Sequence, residues 1–93
     1  MISIIMPVYN GANFLEETVR SVQAQTVSDW ELLIINDCST DNSFEIARQL
    51  AKQDERIILL NNEQNLGAAG SRNRGIDASR GELIAFLDCD DLW

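Results

Sequence analysis

The stretch Leu32-Leu33-Ile34-Ile35-Asn36-Asp37-Cys38-Ser39-Thr40-Asp41-Asn42 decides how this chain folds. Four apolar residues in succession leave no strand face for water. A strand buried on both faces belongs inside a parallel sheet covered by helices above and below. The polar run that follows is turn-rich, and Asp41 or Asn42 can cap a helix. That helix places Phe44, Ile46, Ala47, Leu50 and Ala51 on one side. Asp54-Glu55-Arg56 breaks it, and Ile57-Ile58-Leu59-Leu60 predicts the next strand.

The same pattern extends in both directions. Toward the N-terminus, Ile2-Ser3-Ile4-Ile5-Met6 reads as a buried strand closed by Pro7, with a loop from Pro7 to Gly11. Asn13 can cap a helix running to about Gln25, with Phe14, Leu15, Val19 and Val22 at helical spacing and Glu16 and Glu17 in its first turn. Residues 26–29 form a turn. Toward the C-terminus, Asn61 to Leu66 is a loop and Gly67 to Ser79 a helix. Gly70 and Gly75 weaken that helix by about 1 kcal/mol each relative to alanine. Gly81 closes it, Leu83-Ile84-Ala85-Phe86-Leu87 is the fourth strand, and Asp88-Cys89-Asp90-Asp91 follows at once.

The order β-α-β-α-β-α-β predicts an α/β fold, a Rossmann-like parallel sheet with helices on both faces, in one domain over residues 1–93. Right-handed crossovers bring all four strand C-termini to one edge, where ligands bind at the switch point of the strand order. Four loops lie on that edge: Pro7 to Gly11, Asn36 to Asn42, Asn61 to Gly67, and Asp88 to Asp91. The polar and acidic residues that need explaining gather in them.

The formal net charge is -8 and there is no histidine. Nucleic acid and anionic membrane surfaces need a basic face, so neither is an expected partner. An anionic ligand remains compatible with this charge when a divalent cation lies between the two. The two cysteines, Cys38 and Cys89, form no CxxC pair and have no histidine to complete a zinc set, so reduced thiols in a cytoplasmic protein are expected. Met1 to Met6 is apolar but lacks a basic flank and is too short for a signal peptide or a membrane span.

Asp88, Asp90 and Asp91 repel one another unless a cation or solvent compensates, and their oxygens suit Mg2+ or Mn2+. A solvated acidic turn accounts for them equally on spacing alone. Asp37 could accept the N–H of a pyrimidine or bond a ribose hydroxyl, and capping is the alternative, as for Asp41 and Ser39. Pro7 and Tyr9 could pack against a base, or simply end a strand. Arg72 and Arg74 could reach phosphate, or be solvated surface charges. There is no GxGxxG after the first strand, no GxxxxGK, and no Ser-His or Cys-His pair.

Taken together, these motifs carry a resemblance. Pro7-Val8-Tyr9-Asn10, Gln25-Thr26, Trp30-Glu31-Leu32, Asn36-Asp37-Cys38-Ser39-Thr40-Asp41, Asn65-Leu66-Gly67, Ser71-Arg72-Asn73-Arg74-Gly75-Ile76, Gly81-Glu82 and Phe86-Leu87-Asp88-Cys89-Asp90-Asp91 occur in this order. The chain resembles the N-terminal half of family 2 glycosyltransferases with the GT-A fold, over nearly its whole length. The resemblance implies an inverting hexosyltransferase that binds a nucleoside-diphosphate sugar, a UDP-sugar first, and passes the sugar to a saccharide or lipid-linked acceptor. Pro7 and Tyr9 would contact the base, Asp37 the uracil ring, and Arg72 the base or diphosphate. Asp88 would face the ribose or a metal-bound water, and Asp90 would coordinate Mn2+ or Mg2+ with it. Asn36 stands where the family usually has Asp. Cys38 replaces a common Gly, so that turn must avoid positive φ or tolerate strain.

In this family the general base and acceptor-binding elements lie beyond the DxD motif. The expectation is therefore a donor site with no catalytic residue within residues 1–93, inactive alone, and self-associating through exposed edges. The full-length protein is expected at the inner membrane face, and bacterial polysaccharide biosynthesis is the analogous pathway. A non-catalytic nucleotide-binding module is the alternative function. A phosphatase using an Asp nucleophile would carry its DxD after the first strand, and a receiver domain an acidic pair there, where Pro7-Val8-Tyr9 stands instead.

Overall fold

The structure, a computed structural model, describes residues 1–25 and 28–89. Its elements are β1 (Ile2–Val8), α1 (Ala12–Gln23), β2 (Trp30–Asn36), α2 (Ser43–Gln53), β3 (Ile57–Asn61), α3 (Gly67–Ala78) and β4 (Leu83–Phe86). All four strands are parallel, in the order β3-β2-β1-β4. The expected element order and the helix-covered parallel sheet are both present. No helix among the described residues is long and apolar enough to cross a membrane.

Alternation along the all-apolar strands divides the core in two. Ile4, Met6, Val8, Leu32 and Ile34 face α1 and α2 and join Leu15, Val19 and Leu50. Ile5, Leu33 and Ile35 face the other way and form a smaller cluster under α3. Burying both faces of two central strands is the main source of stability, at roughly 1.5–3 kcal/mol per large side chain. Helix α3 sits close to that sheet because it carries Gly75. A Cβ there would lie 2.6 Å from Ile5 Cγ2 and 3.0 Å from Ile35 Cδ1. The glycine that weakens the helix in isolation is what lets it dock.

Strand β1 runs two residues further than the sequence suggests, through Pro7. Ile5 C=O accepts from Leu87 N–H, and side-to-side alternation would send an N–H at position 7 toward β4 as well. Strand β4 has ended by then, its last partner being Ile5 with Phe86. The proline therefore costs no ladder bond. Between β1 and β4 the sheet order also reverses, so the two chains part at this point.

Several local expectations are corrected. Helix α1 starts at Ala12 with Gly11 at its N-cap, so Asn13 lies inside it, and Glu16 and Glu17 fall beyond the first turn, which holds no acid. Its cap comes from elsewhere in the chain: Ala12 N–H donates to Asp41 Oδ2 and Gly11 N–H to Ser43 Oγ. Phe14 and Phe44 are 49% and 37% exposed, outside the covered face of their helices. Strand β4 is an edge whose Leu83, Ile84 and Phe86 remain exposed, whereas Leu87 just beyond it is buried.

At the N-terminal ends of the strands, Glu31 joins three segments. Its carboxylate accepts from Ser3 Oγ at 2.6 Å, from Arg80 N–H at 2.6 Å and from Arg80 Nε at 3.1 Å. Gly81 N–H then donates to Ser3 Oγ. Burial pushes the Glu31 carboxyl up, but the donors of Ser3 and Arg80 outweigh it and hold the group below its ordinary value.

Candidate functional site

The rim is built by tying together the loops at the strand C-termini. Asn10, in the left-handed region at φ 52°, uses one side-chain oxygen to accept from Thr40 N–H at 2.7 Å and Asp41 N–H at 3.3 Å. Ser39 Oγ returns a bond by accepting from Asn10 N–H. The β1 and β2 loops thus form one unit. Donors from Ser43 and Ala12 keep the Asp41 carboxyl below its usual range. The β4 loop closes on the same unit. Thr18 hydroxyl donates to Cys89 C=O, and a Cβ on Gly11 would meet Cys89 Sγ at 2.6 Å. Any side chain at position 11 would force that thiol to shift.

Asp37 is 4% exposed and holds the third loop. Its Oδ1 accepts from Leu66 N–H at 2.7 Å and Asn62 Nδ2 at 3.0 Å, and its Oδ2 from Gly67 N–H at 2.9 Å. These donors satisfy the first amides of α3, so the capping role is present. Burial drives the carboxyl upward, yet the bonds from Leu66, Asn62 and Gly67 win and its pKa lies below the ordinary value. Asp37 is therefore an ionised acceptor. The neighbouring Cys38 sits at φ 59°, so this turn tolerates strain where glycine would relieve it.

Pro7, Val8, Tyr9, Asp37, Ala68, Ser71 and Asp88 line one cavity of about 120 Å3 at the point where β1 and β4 separate. Four of the residues singled out from sequence, Pro7, Tyr9, Asp37 and Asp88, come together there. Tyr9 is 55% exposed, an open ring at the mouth. Arg72 stands beside the cavity, its guanidinium 3.3 Å from Asp88 Oδ1 and 5.9 Å from the Phe86 ring centre. Arg74 turns the other way and donates to Asn62 Oδ1 at 2.6 Å. Asn62 was not singled out from sequence, and Asn10 and Ser71 were quoted within motifs but given no role of their own. They carry no charge, and their roles rest on contacts between loops far apart in the chain.

Asp88 presents an exposed carboxylate at the rim, a hard oxygen donor of the type that Mg2+ and Mn2+ prefer. Its expected partner Asp90 lies outside the described residues, as does Asp91. Among the described residues, no group of three or more His, Cys, Asp and Glu is placed to hold a metal ion. The donor chemistry of Asp88 fits a divalent cation, with Arg72 as its present counter-charge.

Comparison with known proteins agrees with this arrangement. The sequence model described as Glycosyl transferase family 2 matches residues 3–93. The UDP-Glc:alpha-D-GlcNAc-diphosphoundecaprenol beta-1,3-glucosyltransferase WfgD of Escherichia coli is 46% identical over 94 aligned positions, covering 100% of this chain and 36% of that protein. S. aureus TarS 1–349 in complex with UDP has a TM-score of 0.88 at 29% identity, over 98% of this chain and 28% of that one. The mannosyltransferase PcManGT from Pyrobaculum calidifontis, in complex with GDP-Man and Mn2+, has a TM-score of 0.92 at 25% identity, over 99% of this chain and 28% of that one. The chain spans about a third of the length of the curated relatives it matches. With a matching family model and this sheet, the chain belongs to glycosyl transferase family 2 and has the GT-A fold.

Proposed function

We propose that residues 1–93 are the donor-binding part of an inverting glycosyltransferase that uses a UDP-sugar. The observation that carries this reading is the shared cavity of Pro7, Tyr9, Asp37, Ser71 and Asp88 at the sheet's switch point. Its lining offers a ring, Tyr9, for a base to lie against, and an acceptor, Asp37, for a ring N–H. WfgD is named for transfer from UDP-Glc to a diphosphoundecaprenol-linked GlcNAc, and TarS is solved with UDP, which supports uridine as the base. PcManGT is solved with GDP-Man and Mn2+, which supports a cation-assisted donor.

In this reading Pro7 and Tyr9 hold the base, Asp37 accepts its ring N–H, and Arg72 leaves Asp88 to meet the diphosphate. Asp88 and Asp90 would hold Mn2+ or Mg2+, which when bound offsets charge on the nucleoside-diphosphate leaving group. Inversion by direct displacement needs a base to take the acceptor proton. That base lies beyond residue 93, so the chain alone binds donor without transferring sugar. The whole protein works in the cytoplasm at the inner membrane face, on a saccharide or lipid-linked acceptor. The exposed β4 edge with Leu83, Ile84 and Phe86 makes the isolated chain self-associate.

The test is calorimetric titration with UDP, GDP and dTDP, with and without Mn2+, repeated on Asp90→Ala. UDP should bind best, Mn2+ should tighten it, and Asp90→Ala should remove the Mn2+ gain. A folded chain that binds none of the three under any condition would sink the donor-site reading.

A further inference from the structure

We infer that Asn62 is a positioning residue that sets Asp37 for base recognition, and that Arg74 fixes which way the Asn62 amide faces. The inference rests on the donor-site reading above and names two residues outside the cavity wall that act through Asp37. Asn62 is 3% exposed, and every polar group it has is engaged. Its N–H donates to Asn36 C=O at 2.9 Å, and its C=O accepts from the Cys38 thiol at 3.4 Å. Its Oδ1 accepts from Arg74 at 2.6 Å, and its Nδ2 donates to Asp37 Oδ1 and to Ser71 Oγ, both at 3.0 Å.

A side-chain amide has two ends that are hard to tell apart by shape. Here chemistry separates them. A guanidinium has donors only, so the atom that meets Arg74 must be the oxygen. The amide nitrogen is then forced toward Asp37 and Ser71. Arg74 thereby makes Asn62 a donor to Asp37.

The count on Asp37 follows. An ionised carboxylate offers roughly four acceptor positions. Oδ1 takes two donors, Asn62 and Leu66, and Oδ2 takes one, Gly67. One position remains on Oδ2, and Asp37 lines the cavity. The three donors keep the carboxylate ionised at 4% exposure, so the open position accepts and does not donate. A base with a ring N–H fits that polarity, and a protonated Asp37 would reverse it. The other titratable groups at the cavity are Tyr9 and Asp88, the latter paired with Arg72. Cys38 and Asp41 lie on the same loop as Asp37.

The experiment compares the unmodified chain with Asn62→Leu and Arg74→Met. The first is close in volume, brings no new charge or titratable group, and removes the donor to Asp37. The second keeps an apolar stem at a half-buried position and frees the amide to turn. Carboxyl-carbon NMR follows Asp37 through acid titration in each ligand-free chain. Calorimetry follows UDP affinity, with Mn2+, over the same pH range. Tyr9 and Asp88 are common to all three chains, so differences between chains report on Asp37. Asp37 should titrate about one unit or more higher in Asn62→Leu, and by less in Arg74→Met. The acid loss of UDP affinity should move up with it. An unmoved Asp37 titration in both variants overturns the inference. So does a moved titration that the UDP profile ignores. If the unmodified chain binds no UDP, the donor-site reading and the base-recognition half fall together, and the ligand-free titration still decides whether Asn62 and Arg74 control Asp37.

Discussion

Replacing Gly75 with alanine sets two opposing effects against each other, and the structure says which wins. Alanine favours an isolated helix by about 1 kcal/mol over glycine. The new Cβ, however, would stand 2.6 Å from Ile5 Cγ2 and 3.0 Å from Ile35 Cδ1. Both isoleucines are fully buried, and the Ile5 methyl branches directly from Cβ. It cannot retreat without turning χ1 or moving the strand. Overpacking of this kind costs roughly 1–3 kcal/mol. The net expectation for Gly75→Ala is a loss of about 1 kcal/mol, a drop in the urea midpoint on the order of 1 M. Gly70→Ala, one turn earlier, is the control. Its Cβ would meet Leu66 Cβ at 2.8 Å, an atom set by the backbone, so residue 66 must shift at the exposed start of α3, with no buried strand in the way. That shift offsets alanine's helix preference, so the variant should be close to unchanged in stability. If Gly75→Ala matched Gly70→Ala in urea melts, the close seating of α3 on β1 and β2 would be refuted.

Three further outcomes are expected. Asp54, half-buried and bonded first by the Arg56 side chain, is pushed down to about 2 from 3.8. Its folded value is depressed, so its contribution is full above the unfolded value and is lost as pH falls through the folded one. It should amount to about 2 kcal/mol, and Asp54→Asn should flatten the acid end of a stability-versus-pH curve by that much. Glu31→Gln removes an acceptor from the donors of Ser3 and Arg80 and should cost about 2 kcal/mol in thermal melts; no change would mean that the basal edge is held elsewhere. Cys38→Gly should stabilise the chain by about 1 kcal/mol in denaturant, because φ 59° no longer strains a side chain.

The fold was legible where one segment determines its own environment. Leu32 to Ile35 has no polar residue, so a strand covered on both sides was the single consistent reading. The start of α1 was not legible, because its cap is Asp41, 29 residues away on the neighbouring loop. Phe14 and Phe44 show a second gap. Helical spacing gives the direction of an apolar stripe but not its width, and both rings fall outside the part the sheet covers. For the site, carboxylates after strand ends announce themselves through charge, so Asp37 and Asp88 could be singled out. Asn62 could not, since an amide after a strand looks like any turn residue until Arg74 and Asp37 are seen on either side of it.

The strand order has a consequence for synthesis on the ribosome. Strand β1 emerges first, yet its second neighbour is β4, some eighty residues later. A nascent chain can assemble β1, β2 and β3 with α1 and α2 as soon as residue 61 is clear of the exit tunnel. During that interval Ile5, Leu33 and Ile35 have no cover on their own face, because α3 has yet to emerge. Translation pauses before α3 would prolong the exposure, and chaperones that bind extended apolar segments would find their target on this face.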